Sequence, residues 1–162
     1  MNTVKRSNIY LMAAMILTAA LVVQAAQKQV PFKGTLQGHD VDSDFNGTTV
    51  VVTTTGTGIS TLVGQFSFTQ EVTVNIAALT DTGSAQWIAA NGDSIDATIV
   101  GSGEFTDTPG ILSITEIFTI TGGTGRFAGA QGSFVMERLA SSVTFLTSGS
   151  FHGTITSPGA AH

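Results

Sequence analysis

The sequence predicts an all-β protein, a single eight-stranded antiparallel β-barrel that follows an N-terminal signal peptide. Three observations predict this fold. Apolar and polar residues alternate with a period of two through most of the chain from Gln27 onward, and this pattern is typical of antiparallel strands with one face towards water. Turn-forming residues separate the alternating segments. Glycines recur inside the segments, where they allow a strand to coil sharply, as a small barrel requires.

The first residues have the three parts of a secretory signal peptide. Lys5 and Arg6 form a short basic region, an almost unbroken apolar run covers 9–23, and Ala25 and Ala26 suit cleavage by a signal peptidase. The apolar run is shorter than the ~20 residues that a membrane-spanning helix needs. We therefore predict that residues 1–25 are removed, that residues 26–162 form one barrel domain, and that the protein is secreted or periplasmic.

Charge and composition narrow the classes of partner. Without the leader, four Lys and Arg residues stand against eleven Asp and Glu residues, which gives a net charge of −7. An acidic surface repels phosphate groups, so nucleic acid and anionic membranes are poor partners. The remaining chain has one tryptophan, no tyrosine and no cysteine, so it lacks the aromatic girdles of a membrane-inserted barrel. We expect no disulfide, no cofactor and no metal, no nucleic-acid partner, and no membrane insertion after cleavage.

Eight segments carry the strand pattern. In the third segment, Phe66, Phe68 and Val72 alternate with polar residues, and Asn91-Gly92 forms a typical hairpin turn between the fourth and the fifth. Other turns are predicted at 45–47, 81–83 and 108–110. Closure into a barrel removes exposed strand edges, and a β-sandwich is the alternative. The predicted strands are 30–38, 48–56, 62–75, 84–90, 94–105, 111–121, 131–140 and 144–156.

A glycine-rich stretch, ITGGTGRFAGAQG at 120–132, follows the sixth strand. It contains G-x-G-x-x-A, a variant of the dinucleotide-binding fingerprint. That fingerprint requires a helix after the glycines, because the helix N-terminus holds the phosphate. Here the following residues read as another strand. We therefore interpret the stretch as a tight connection in which glycines supply positive φ angles and Phe127 folds back onto the core.

The same stretch resembles a motif shared by the plant allene oxide cyclases and the dirigent proteins, in which a Gly-Gly-Ser/Thr-Gly-x-Phe turn joins two strands. The resemblance covers the C-terminal half and implies an eight-stranded antiparallel barrel with an apolar pocket, often in a homotrimer. It does not extend to the carboxylate of the cyclases or to the Asp, Arg and Tyr of the dirigent proteins. The matched positions are structural: Gly122, Gly123, Thr124, Gly125, Phe127, Gly129 and Gly132.

Glu116 is the first candidate for a ligand site. It lies between Ile114 and Phe118 on the apolar face of the sixth strand, so the alternation places a carboxyl inside the barrel. Burial among apolar groups favours the neutral form of a carboxyl, which suits a general acid or a hydrogen-bond donor to a ligand. The alternatives are a bulge that turns Glu116 outward, or a partner such as Arg138 or Gln70 that satisfies it.

Three aromatic residues complete the predicted ligand site, namely Trp87, Phe118 and Phe66. Trp87 alternates inward with Ala85 and Ala89, and these small neighbours would leave room for a cavity with one aromatic wall. The alternative for Trp87 is a plug in a packed core.

An acidic segment near the N-terminus resembles part of a calcium loop. Asp40, Asp42 and Asp44 lie at alternate positions, as the first oxygen ligands of such a loop do. However, Phe45 stands where the loop requires glycine, and Val51 stands where it requires an acid. A solvated acidic loop is therefore favoured over a calcium site.

The sequence as a whole favours a secreted barrel that binds a small apolar or amphipathic ligand without chemistry. The first alternative is an isomerase or cyclase-type enzyme with Glu116 as the acid or base. The second is a structural or interaction protein whose barrel is filled by side chains.

Overall fold

The protein is a closed antiparallel β-barrel in the computed structural model, which describes residues 28–156 and Pro158. Its strands are β1 (Gln29–Ser43), β2 (Thr49–Ser60), β3 (Gly64–Asn75), β4 (Thr80–Ala89), β5 (Ser94–Phe105), β6 (Ile111–Gly123), β7 (Gly132–Ser141) and β8 (Leu146–Thr156). Each strand pairs with the next along the chain, and β8 pairs with β1 to close the sheet. The predicted fold class is confirmed, whereas the predicted leader at 1–25 lies outside the described residues.

Two segments with the composition of turns are strands instead. β1 continues through the acidic segment to Ser43, where we expected a solvated loop, and β4 begins at Thr80, although 81–83 was predicted as a turn. The acidic segment of β1 pairs with β2, and the first residues of β4 pair with both β3 and β5. Asp81, for example, lies opposite Val74 and Gly101. Tertiary pairing of this kind overrides the low strand propensity of Asp and Gly. The true turn before β4 is at 76–79, where Leu79 has a φ of 51°.

The glycine-rich stretch covers one end of the barrel. A single 3₁₀ turn, η1 (Gly125–Phe127), is followed by a loop that leads into β7. Gly125 and Gly129 have φ angles of 56° and 70°, which an L side chain rarely adopts. Phe127 is only 1% exposed. The interpretation as a glycine-dependent turn with Phe127 on the core is therefore confirmed.

Among the described residues, no helix is long and apolar enough to cross a membrane.

Aromatic rings fill the interior next to η1. The Trp87 ring stacks on Phe66 at 4.9 Å between centroids, and Phe118 stacks on Phe134 at 4.6 Å. Glycines on the strands make room for these rings; a Cβ at Gly58, for example, would collide with the ring of Phe66. We call this region the closed half. Its buried aromatic members are Phe32, Phe66, Phe68, Trp87, Phe118, Phe127, Phe134 and Phe151.

The opposite end of the barrel is built differently. There the loops 44–48, 76–79, 106–110 and 142–145 join the strands, and the inward positions of the strand ends carry aliphatic and charged residues. We call this region the open half. It contains the interior from a layer of buried polar residues outward to these loops, and that layer comprises Asp40, Thr54, Gln70, Asp81, Glu116, Arg138 and Thr147.

Candidate functional site

The open half contains a cavity of about 300 Å³. Most of its wall is aliphatic, and its polar lining includes Asp40, Asp42, Asp81 and Arg138. The strands contribute the aliphatic wall because every second residue points inward. The apolar lining residues are Val50, Val52, Val72, Val74, Leu79, Leu112, Ile114, Ala140 and Phe145.

Large apolar side chains project from this end of the barrel. Phe45, Phe105 and Val143 are 68%, 73% and 74% exposed, and they lie at or beside three of the four loops. Single exposed apolar residues are common on proteins, but several around one opening are typical of an interaction or ligand-entry surface. Exposed apolar side chains thus lie at the same end of the barrel as the cavity.

Arg138 and Glu116 form a buried ion pair beneath the cavity. The Arg138 Nε donates to Glu116 Oε2 at 3.0 Å, and Nη2 donates to Oε1 at 3.3 Å. Gln70 Nε2 donates to the same Oε1 at 3.0 Å. Glu116 is 0% exposed, and all three hydrogen bonds reach it from donors, which suits an ionised carboxylate.

Asp40 is the second anionic partner of Arg138. The Arg138 Nη1 donates to Asp40 Oδ2 at 3.4 Å and to Thr147 Oγ1 at 3.1 Å. The other oxygen of Asp40 accepts a hydrogen bond from Thr54 Oγ1 at 2.7 Å. Both carboxylate oxygens of Asp40 are therefore occupied by protein groups.

Burial lowers the pKa of Arg138, but the neighbouring carboxylates of Glu116, Asp40 and Asp81 outweigh it and raise the pKa above its ordinary value. The guanidinium therefore stays charged. A fixed positive charge at this depth is stable only because anions surround it.

Asp81 is the carboxyl of this cluster that has an oxygen without a hydrogen-bond partner. It is 7% exposed, it lines the cavity, and its Oδ1 has no hydrogen-bond partner among the described residues. Burial and the nearby charge of Glu116 raise the pKa of Asp81 from 3.8 to about 6, and Arg138 offsets part of that shift. A buried carboxyl oxygen without a partner is unusual, because burial without a hydrogen bond is unfavourable.

Glycine creates the space that Asp81 and Glu116 share. Gly101 lies opposite Asp81 on one side and opposite Glu116 on the other. A Cβ at position 101 would be 2.7 Å from Glu116 Cγ and 2.8 Å from both carboxyl oxygens of Asp81. The absence of a side chain at Gly101 thus allows two acidic groups to lie side by side in the wall.

The predicted site residues separate into two groups. Glu116 points into the barrel as the alternation predicted, and Gln70 and Arg138 are its partners, as one of the two alternatives stated. Its surroundings are polar and charged, so the expectation of a carboxyl among apolar groups is wrong. Glu116 also does not belong to the lining of the cavity.

Trp87, Phe118 and Phe66 belong to the closed half. The Trp87 ring centroid is 4.9 Å from Phe66 and 6.0 Å from Phe118. None of the three lines the cavity of the open half. Phe66 borders a larger depression on the outside of the wall, whose lining contains no charged residue. A role in ligand binding stays a prediction for these three residues.

The acidic segment is part of the barrel wall rather than a solvated loop. Asp40 is buried on Arg138, and Asp42 lies in β1, so only Asp44 lies in the loop that follows. Across the described part of the chain, no cluster of three or more His, Cys, Asp or Glu side chains is arranged to hold a metal ion. The alternate spacing of Asp40 and Asp42 reflects the inward face of β1.

Asp81 is the site residue that sequence reasoning missed, and Asp40 was considered only as part of a calcium-like loop and not as a partner of Arg138. Both lie in strand segments whose composition is typical of turns. A period-two signal did exist, because Asp40 continues the inward series of Phe32 and Leu36, and Asp81 continues that of Trp87 and Ala85.

The chain matches no family model and no curated protein. The resemblance of the glycine-rich turn to allene oxide cyclases and dirigent proteins therefore stays a prediction.

Proposed function

We propose that this protein binds a small amphipathic molecule in the cavity of the open half. The observation that carries this proposal is an aliphatic cavity of about 300 Å³ with a buried carboxyl, Asp81, whose Oδ1 lacks a partner. Small-molecule sites typically combine apolar walls with a few convergent polar groups, and their volumes begin near ~300 Å³. The cavity therefore suits a compact ligand with one polar end.

The depth of the cavity sets the orientation of such a ligand. Asp40, Asp81 and Arg138 of its lining belong to the buried layer, whereas Asp42 is exposed and Leu79 and Phe145 lie at the loops. A ligand would place its polar end inward and its apolar part against the aliphatic wall. Each buried methylene contributes ~0.8 kcal/mol of hydrophobic free energy before the entropy of association is subtracted. Affinity should therefore increase with chain length until the cavity is full.

The two alternative functions meet specific obstacles. An enzyme that uses Glu116 as acid or base would have to release this carboxylate from Arg138 and Gln70. An interaction protein with a filled barrel would have no cavity, whereas side chains fill only the closed half. Asp81, rather than Glu116, is the carboxyl that an enzyme of this barrel would present to a substrate.

Displacement of a neutral fluorescent hydrophobe such as Nile red tests the proposal. We expect the dye to bind the wild-type protein and to be displaced by medium-chain alcohols. Val74→Phe narrows the cavity and should weaken dye binding, whereas Thr73→Phe, which places the same ring on the outer face of β3, should leave it unchanged. Equal binding by wild type and Val74→Phe would contradict the proposal.

We also propose that the protein is exported. The pattern of residues 1–25 supports this proposal. Expression in a secretion-competent host should yield a protein whose intact mass lacks the first 25 or 26 residues. A protein of full-length mass that stays in the cytoplasm would contradict export.

Membership of the allene oxide cyclase and dirigent barrels, and the trimer that it implies, are proposals as well. The glycine-rich turn supports the first, and exposed apolar neighbours on the outer wall support the second. Val100 and Ile117 lie opposite each other on β5 and β6 and are 61% and 53% exposed. Light scattering should give three times the mass of the mature chain, and Ile117→Lys should reduce this mass to that of a single chain. A wild-type monomer would contradict the trimer.

A further inference from the structure

The open half has an excess of negative charge that the described residues do not balance. The cavity lining contains Asp40, Asp42 and Asp81 but only one cation, Arg138. Glu116 beneath the lining adds another carboxylate to the same guanidinium. The other described cations, Lys28, Lys33 and Arg126, lie at the end that η1 covers.

We infer that the cavity takes an amphipathic organic cation, a primary ammonium group on an aliphatic chain, and that the ammonium pairs with the carboxylate of Asp81. This inference rests on the proposed function and specifies the class of ligand. The ammonium donates up to three hydrogen bonds and accepts none. It therefore matches a buried oxygen that lacks a donor.

Asp81 is the position at which such a cation fits best. Asp40 is occupied by Arg138 and Thr54, and Glu116 by Arg138 and Gln70. Asp81 Oδ1 has no such partner. An ammonium at this oxygen would satisfy it and would compensate one excess charge in the wall. A charge-assisted hydrogen bond of this kind is stronger than a neutral one.

An anionic head group would meet the opposite situation. Four hydrogen bonds of Arg138 already go to Glu116, Asp40 and Thr147. The guanidinium has five N–H donors, so only one is left, and a carboxylate or phosphate that bound Arg138 with two hydrogen bonds would have to displace one of these partners and would lie against Asp81. Two negative charges side by side in a partly buried site repel each other. The cavity thus discriminates by charge as well as by shape.

The lining also favours an organic cation over a metal ion. A calcium ion takes six to eight oxygen ligands, whereas the described residues contain no group of three or more His, Cys, Asp or Glu side chains that is arranged to hold a metal ion. A bare metal ion would make no contact with the aliphatic wall around Asp81. An alkyl chain fills it.

Binding of the ammonium should depend on pH because only the ionised form of Asp81 forms the pair. The charged groups that act on Asp81 are Glu116 on β6 and Arg138 on β7, and Asp40 and Asp42 on β1 line the same cavity. Burial and Glu116 raise the pKa of Asp81 to about 6. Amine affinity should therefore fall as the pH drops through about 6, although the amine itself stays protonated.

Competition with Nile red tests the inference with three probes of equal chain length: octylamine, octanol and octanoate. At pH 8 we expect octylamine to displace the dye at about tenfold lower concentration than octanol, in line with one charge-assisted hydrogen bond. Octanoate should be the weakest. At pH 5 the advantage of the amine over the alcohol should be lost.

Two variants locate the effect. Asp81→Asn keeps the shape and removes the charge, so it should abolish the preference for the amine and retain octanol binding. Glu104→Gln, an exposed position on β5 near the same end, removes one charge outside the cavity and should keep the preference. Near-ultraviolet circular dichroism of the buried Trp87 reports whether each variant is folded.

The outcomes separate the inference from the proposed function. If octanol binds as tightly as octylamine, or octanoate binds best, the inference is overturned while the cavity remains a binding site. If Asp81→Asn, correctly folded, keeps the full amine preference, the inference is overturned as well. If no probe displaces the dye, or the dye does not bind, the proposed function itself fails.

Discussion

The closed half and the open half of this barrel use the same strands and the same alternation but different physical chemistry. In the closed half, rings pack against rings over glycine positions, and shape selects the residues. In the open half, the interior residues include an ion pair and two further carboxyls, and they surround a cavity. The difference indicates that one half supplies the stability that the other half gives up.

Buried charges explain why such a division is needed. An ion pair such as Arg138–Glu116 contributes little net stability, because removing both groups from water offsets their attraction. A carboxyl without a partner, such as Asp81, is unfavourable in itself. A barrel built entirely like the open half would lack a hydrophobic core, and one built entirely like the closed half would have no cavity.

Phe118→Ala should have the largest effect on stability. The ring of Phe118 is 0% exposed and stacks on Phe134, so its removal loses hydrophobic burial and leaves a cavity. We expect a loss of about 4 kcal/mol in the free energy of unfolding. Urea titration followed by circular dichroism measures it.

Ile59→Ala on β2 is the control, because Ile59 is an aliphatic residue that is 57% exposed and lies away from Val100 and Ile117, and it should change stability by less than about 1 kcal/mol. Similar losses for both variants would contradict a closed half that carries the stability. If Phe118→Ala lowers the affinity for Nile red while the fold is intact, the prediction that Phe118 contacts a ligand gains support.

Arg138→Met should cost about 3 kcal/mol, because it leaves Glu116 and Asp40 buried without their cation. Adding Glu116→Gln should restore much of this loss, since a neutral amide needs no counter-charge. Chemical unfolding of the single and double variants at neutral pH measures both steps. A double variant that is no more stable than Arg138→Met would contradict the ion-pair description.

The sequence predicted the closed half well and the open half poorly, for one physical reason. Phe66, Trp87 and Phe118 follow a period of two because apolar burial leaves that pattern in the sequence. Asp40 and Asp81 follow the same period, but aspartate is also typical of turns, and local composition favoured the turn. What makes these segments strands is pairing with neighbours far along the chain, such as Asp40 with Thr54.

Glu116 shows how far alternation alone can go. The pattern predicted an inward carboxyl and named Arg138 and Gln70 as possible partners, and the structure places both on it. The cavity itself could not be predicted, because its volume depends on how residues from seven strands and two loops face each other. No single stretch of sequence contains that information.

Gly101→Ala should disturb the open half by about 2 kcal/mol. Its Cβ would lie 2.7 Å from Glu116 Cγ and 2.8 Å from the oxygens of Asp81, and overpacking of this kind forces side chains from their positions. Gly103→Ala is the control two residues along β5, where the nearest atom to a new Cβ is 3.6 Å away. Urea titration of both variants tests this; equal stabilities would show that position 101 is not constrained by the two carboxyls.

Asp81→Asn should have the smallest effect and the opposite sign. Burial and Glu116 raise the pKa of Asp81 from 3.8 to about 6, so between these values the folded protein holds a proton that the unfolded chain has lost. The wild-type protein therefore loses stability as the pH rises from about 4 to about 6. Above about pH 6, Asp81→Asn should be more stable than wild type by about 1 kcal/mol, a modest gain because the cavity lets solvent screen this carboxyl.

The same variant also decides whether the open half gives up stability for binding. The gain should shrink as the pH falls and should vanish below about pH 4, where the carboxyl is protonated in both the folded and the unfolded protein. Parallel stability curves for Asp81→Asn and wild type from pH 4 to pH 8 would contradict this. If the gain appears, and octylamine stabilises wild type but not Asp81→Asn, the unfavourable carboxyl is the group that the ligand satisfies.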